Sequence, residues 1–193
     1  MSVPRIRIAF DVDDVLLDFN TSLKDFHNKH YGSSYTFEDI VQYSLAVLWG
    51  CDEAEVVRRL NHFYFSCEHS LISPIPGALE VLSRLKTREN IEIEIITARS
   101  ENVREITEHL IHKHYPNIFD AIFFRAEDPS QPYYHWTKGE ICEDRGIIAF
   151  TDDVLKRFES QGWHTQRVHD GNDLTAIDNA IQNARNETNR PSL

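Results

Sequence analysis

Four apolar runs and a weaker fifth recur along the chain, at residues 6–10 (IRIAF), 91–96 (IEIEII), 121–124 (AIFF), 147–150 (IIAF) and 164–168 (HTQRV). Runs this short, rich in Ile and Phe and bounded by polar residues, predict strands buried largely on both faces. Between them, apolar residues recur at helical spacing over 77–87, 101–114, 153–160 and 174–184. Strands alternating with helices predict an α/β fold, a Rossmann-like, mainly parallel sheet with helices on both faces. Such folds bind ligands at the carboxyl ends of their strands. Asp11, Asp13 and Asp14 fall there after the first run, Thr97 after the second, and Asp152 and Asp153 after the run at 147–150. One crevice can gather all of them.

The interval 21–73 breaks that rhythm. It predicts three helices, over 21–31, 37–49 and 53–67, with no convincing strand and a high density of Phe, Tyr and Trp. The expected organisation is therefore a core built from 1–20 and 74–185, a small helical cap at 21–73 inserted after the first strand, and a polar, frayed tail at 186–193.

Charge narrows the range of partners. The formal net charge of -11 disfavours a nucleic-acid backbone or an anionic membrane as the main partner. A small phosphorylated substrate remains compatible, because a metal ion and a few Lys or Arg side chains can set the local sign. Cys51, Cys67 and Cys142 are widely spaced and include no Cys-x-x-Cys pair, so they read as thiols in a reducing compartment. With no signal-type or membrane-spanning apolar stretch, a cytoplasmic protein is expected.

The chemistry starts from "FDVDDVLLD". Asp11, Asp13 and Asp14 crowd like charges at a strand end, and a bound divalent cation is the simplest compensation. This stretch resembles the first motif of the haloacid dehalogenase-like superfamily, an apolar strand followed by Asp-x-Asp. "IEIEIITAR" resembles the second motif and points to Thr97; "IIAFTDD" resembles the fourth, a strand ending in the paired acids Asp152 and Asp153. Lys138 is the best-placed candidate for the lysine of the third motif.

The resemblance implies a phosphomonoesterase that acts through an aspartyl-phosphate. Asp11 is the implied nucleophile and Asp13 the implied acid and base. Thr97 and Lys138 are implied as groups that stabilise the phosphoryl oxygens. Mg²⁺ is the implied cofactor, held by Asp11, the main-chain carbonyl of Asp13 and Asp152, with Asp153 orienting a water or Lys138. Asp14 reads as a turn former or helix cap.

"DVDDVLLDF", the helical insertion and "SPIPGALEVLSRLK" further resemble the 5'(3')-deoxyribonucleotidase family, which implies a nucleoside monophosphate substrate and makes Phe19 the candidate for stacking on its base. Those enzymes tend to follow the motif-two Thr with Ser-Pro, whereas this chain has Ala98-Arg99. Arg99 either clamps a substrate phosphate or caps the surface of the following helix. The alternatives left open are a phosphatase for another small metabolite, such as a sugar phosphate, and a catalytically silent module that binds nucleotides or partners.

Overall fold

The computed structural model describes residues 5–42, 44–152, 177, 179 and 181–184. The chain divides into two compact units, one made of Met1–Leu16 with Ile75–Leu193 and the other of Leu17–Pro74.

In the first unit, β1 (Ile6–Phe10), β2 (Ile91–Ser100), β3 (Ala121–Arg125) and β4 (Ile147–Thr151) form a single sheet in the order β3-β2-β1-β4, with every pairing parallel. Ile8, Ala9 and Phe10 on β1, and Ile93, Ile95 and Ile96 on β2, are all buried, so the two central strands are covered on both faces. That explains why Ile8-Ala9-Phe10 and Ile95-Ile96 read as unbroken apolar stretches, while Arg7, Glu92 and Glu94 interrupt the strands nearer their starts. Helix α6 (Ala78–Lys86) leads into β2. A 3₁₀ turn (Glu101–Val103) and α7 (Arg104–His114) carry the chain to β3, and α8 (Lys138–Arg145) carries it to β4. The chain thus builds outward from β1 to β3 and then returns to the far side of β1. The reversal leaves a topological switch point between β1 and β4.

The hydrophobic pattern does not announce α8, whose buried apolar side chains are Ile141 and Cys142 alone. Its ends define it instead. Thr137 and Glu140 form a capping box, and Gly146 closes the helix at φ 65 in the left-handed region. Ile141 and Cys142 pack with Ala9, Ile96, Ile147 and Phe150 on one face of the sheet. Arg145, in the last turn, donates to the buried carboxylate of Glu94 at 2.6 and 3.2 Å. A charge buried in mid-strand thereby gains its partner and fixes the end of the helix. The expected strand at 164–168 and helix at 153–160 lie outside the described residues; of the segment 174–184, residues 177, 179 and 181–184 are helical.

The second unit is helical: α1 (Phe19–Tyr31), α2 (Phe37–Gln42), α3 (Leu45–Trp49), α4 (Glu53–Tyr64) and α5 (Cys67–Ser70). A bridge pairs Leu17 with Pro74, and the Asp18 N–H donates to the Ser73 carbonyl at 3.0 Å, which ties the two ends of the unit together. The single helix expected over 37–49 is two helices, because Ser44 adopts an extended conformation and caps α3. Ser66 divides the segment 53–67 in the same way, with its hydroxyl accepting from the His69 N–H at 3.2 Å. Serine favours such caps over helix interiors because its side chain competes for nearby backbone groups. Among the described residues, no helix is long and apolar enough to cross a membrane.

Candidate active site

Asp11 is the first residue beyond β1, and its N–H donates to the Thr151 carbonyl at 2.8 Å, so β1 and β4 stay joined up to the switch point. Its side chain is buried, with the residue 5% exposed. Oδ1 accepts from the Val12 N–H at 2.7 Å, and Oδ2 accepts from Lys138 Nζ at 2.6 Å. The same ammonium donates to Asp152 Oδ2 at 2.7 Å. Lys138 is the first residue of α8, so the capping box that starts the helix also places this side chain. Asp11, Lys138 and Asp152 are therefore brought together from a strand end, a helix start and a second strand end.

The charges do not balance. Burial pushes the Asp11 carboxyl up; Lys138 opposes the rise, Asp13 and Asp152 add to it, and the group settles at about 7. Burial alone would lower the Lys138 ammonium, but Asp11 and Asp152 outweigh it and hold the group above the ordinary lysine range.

Asp13 has a different partner. Arg99, near the end of β2, directs its guanidinium at this carboxylate: Nη2 lies 2.6 Å from Oδ1, and Nε lies 3.1 and 3.3 Å from the two oxygens. Arg99 Nη1 donates to Thr107 Oγ1 on α7 at 3.0 Å. Thr97 is buried two residues earlier, and its hydroxyl oxygen accepts from the Arg99 N–H at 3.2 Å. Asp14 has φ 55, a left-handed conformation that Asp tolerates better than most residues and that suits the turn.

Other expectations from the sequence meet different geometry. Asp153 lies outside the described residues. Among the described residues no three His, Cys, Asp or Glu side chains converge as a metal cluster, since Lys138 stands between Asp11 and Asp152 and Asp13 turns to Arg99. Phe19 belongs to the helical unit, where its ring is buried against Phe63 and Tyr64 at centroid distances of 5.5 and 5.8 Å. Sequence reasoning also missed Thr107, which carries no signal beyond an ordinary helical threonine, and α8, which Thr137, Glu140 and Gly146 could have revealed.

The donor set nevertheless fits a hard divalent cation. Two buried carboxylates on adjacent strand ends supply oxygen ligands.

An all-parallel sheet with acids gathered at its switch point defines a haloacid dehalogenase-like hydrolase fold. A subfamily IA, variant 1 hydrolase of that superfamily from Geobacter sulfurreducens is similar at 16% identity and a TM-score of 0.53, over 86% of this chain and 89% of that one. A haloacid dehalogenase-like family hydrolase from Xanthomonas campestris is 13% identical with a TM-score of 0.54, over 95% of this chain and 100% of that one. Residues 5–128 match the family described as 5' nucleotidase, deoxy (Pyrimidine), cytosolic type C, and the chain belongs to that family.

That match carries Asp11, Asp13, Thr97 and Arg99 and ends before Lys138 and Asp152. Residues 135–193 match a different family, described as the thiamine diphosphate binding domain of transketolase. Over 47 residues the chain is 55% identical to a transketolase of Nostoc sp., and over 44 residues 50% identical to transketolase 1 of Escherichia coli. Each alignment spans 7% of that relative's length. Lys138 and Asp152 thus sit within the transketolase-like stretch in sequence and beside Asp11 in space.

Proposed function

We propose that this protein is a Mg²⁺-dependent phosphomonoesterase for small phosphorylated metabolites, working through an aspartyl-phosphate, with nucleoside 5'-monophosphates as the preferred class. The observation that carries the reading is a strand-end carboxylate, Asp11, held by Lys138, with a second carboxylate two residues on that is oriented by a different cation, Arg99. Two neighbouring acids with separate partners can take separate roles.

In the first half-reaction an Asp11 carboxylate oxygen bonds to phosphorus as the ester P–O bond breaks, and Asp13 gives its proton to the leaving oxygen. In the second, water bonds to phosphorus, its proton passes to Asp13, and the P–O bond to Asp11 breaks to release phosphate and restore the carboxylate. Lys138 stabilises negative charge on Asp11 and on the phosphoryl oxygens, and the Thr97 hydroxyl is the candidate donor to the phosphoryl group. Asp11, Asp152 and the main-chain carbonyl of Asp13 would hold Mg²⁺, which when bound supplies positive charge to the phosphoryl oxygens. The family description supports a nucleotide substrate, and a cytoplasmic location belongs to the same proposal.

A panel of phosphate esters hydrolysed by the purified chain with Mg²⁺ tests the reading. A nucleoside monophosphate should exceed ribose 5-phosphate by roughly ten-fold in kcat/KM, the equivalent of about 1.4 kcal/mol of aromatic and apolar contact to the base. Equal efficiency for ribose 5-phosphate would remove the nucleotide assignment and leave the phosphatase. No hydrolysis of any ester would remove both.

A further inference from the structure

Asp13 must meet two different oxygens in one cycle, first to give up a proton and then to receive one, so its orientation matters as much as its presence. We infer that Arg99, anchored by Thr107, is a positioning residue that fixes the Asp13 carboxyl for proton transfer; the inference rests on the phosphatase reading above.

The geometry is that of a clamp. The Arg99 side chain is fully buried while that of Asp13 is 27% exposed, so the guanidinium approaches from inside and the carboxylate keeps an outward surface. Nε and Nη2 face the carboxylate, at 3.1 and 2.6 Å from Oδ1, and Nη1 is tied to Thr107 Oγ1 at 3.0 Å on a different element. The guanidinium is planar, so contacts made on both sides of it fix the plane and, with it, the carboxylate it grips. A lysine could supply the charge without the fork. The clamp also links three places in the chain: the turn after β1, the end of β2 and the second turn of α7. Asp14, next to Asp13 in that turn, has φ 55.

Proton donation matters most when the departing oxygen is a poor leaving group, and this separates positioning from general structural support. A phenolate that leaves readily needs little help, whereas an alkoxide needs the proton as the bond breaks. The test compares the full chain with its Arg99→Lys, Arg99→Met and Thr107→Val variants, with Mg²⁺, on p-nitrophenyl phosphate and on a nucleoside 5'-monophosphate. In Arg99→Met, kcat/KM, which reports the steps up to departure of the leaving group, should fall on the order of 10²-fold on the alkyl ester and less than about ten-fold on the aryl ester. Arg99→Lys should recover only part of the alkyl loss. Thr107→Val, which leaves Arg99 in place, should show the same split on a smaller scale, and it keeps the test open if Arg99→Met does not fold. Equal losses on both esters in folded variants, or no loss at all, would overturn the inference. Hydrolysis of neither ester by the unaltered chain would instead bring down the phosphatase reading beneath it.

Discussion

Replacing Asp11 by Asn keeps the shape of the side chain but removes the nucleophilic charge and the anionic partner of Lys138. Turnover should fall by about 10³-fold or more with every leaving group, because no later step can occur without the covalent one. Acid-quenched protein should gain the mass of a phosphoryl group in the unaltered chain and not in the variant. A folded Asp11→Asn protein with full turnover would disprove the covalent route. At this scale the sequence was informative about identity and silent about partnership. Asp11, Asp13 and Thr97 stand out because carboxylates and a threonine follow apolar runs, although β2 continues past Thr97 to Ser100 and so places Thr97 inside the strand. That Asp11 would bind Lys138 while Asp13 bound Arg99 depends on two-dimensional neighbours in a sheet, which linear spacing does not encode.

Elements tell a similar story, and His27 on α1 shows how a helix face becomes a titrating core. Its ring stacks between Tyr31 and Trp49 at centroid distances of 4.7 and 4.4 Å. Arg59 Nη1 can only donate, so Nε2 accepts at 3.1 Å and Nδ1 carries the proton toward Ser33 Oγ at 2.7 Å. Ser33 Oγ in turn donates to Asn28 Oδ1 at 2.7 Å. Burial, reinforced by the Arg59 charge, pulls the imidazole down from its ordinary 6.5 to about 4. The unfolded chain therefore takes up this proton at a higher pH than the folded one. Its contribution to stability is complete above about 6.5 and is lost as the pH falls toward about 4. Thermal melts across that window should show the decline, and His27→Gln should flatten it; an unchanged slope in the variant would place the titration elsewhere. The aromatic density of this region was plain in the sequence, but whether a ring packs inward or faces a ligand was not. Phe19, expected from the resemblance to stack on a base, has its ring near those of Phe63 and Tyr64.

For the whole molecule the instructive junction is Lys138 with Asp11. The nucleotidase family match stops at residue 128 and the transketolase-like match begins at 135, yet the sheet places β4 beside β1 and α8 across them. A cation from one stretch neutralises carboxylates from both. Lys138→Met would leave Asp11 and Asp152 buried without it, and removing one partner of a buried ion pair costs about 3–5 kcal/mol. In chelator the variant should lose about that much stability in a denaturant titration. Saturating Mg²⁺ should restore part of it, because a ligand bound only by the folded state stabilises that state. If Mg²⁺ raised the unfolding midpoint of neither the variant nor the unaltered chain, the carboxylates would not form the proposed cation site.

The sequence by itself determined the alternation of strands and helices, the four described strands, and which strand ends carry acids. It could do so because strand segments buried on both faces read as short apolar stretches, though it did not place the end of β2, which runs on past Thr97 to Ser100. It did not determine α8, whose burial rests on Ile141, Cys142 and the docking of Arg145 onto Glu94 rather than on amphipathic repetition. Nor did it determine the pairing of charges. Lys138 reaches Asp11 and Asp152 because β4 returns to the far side of β1, and Arg99 reaches Asp13 because β2 lies on its near side. The order of strands in the sheet decides both contacts, and that order exists only once the chain has folded.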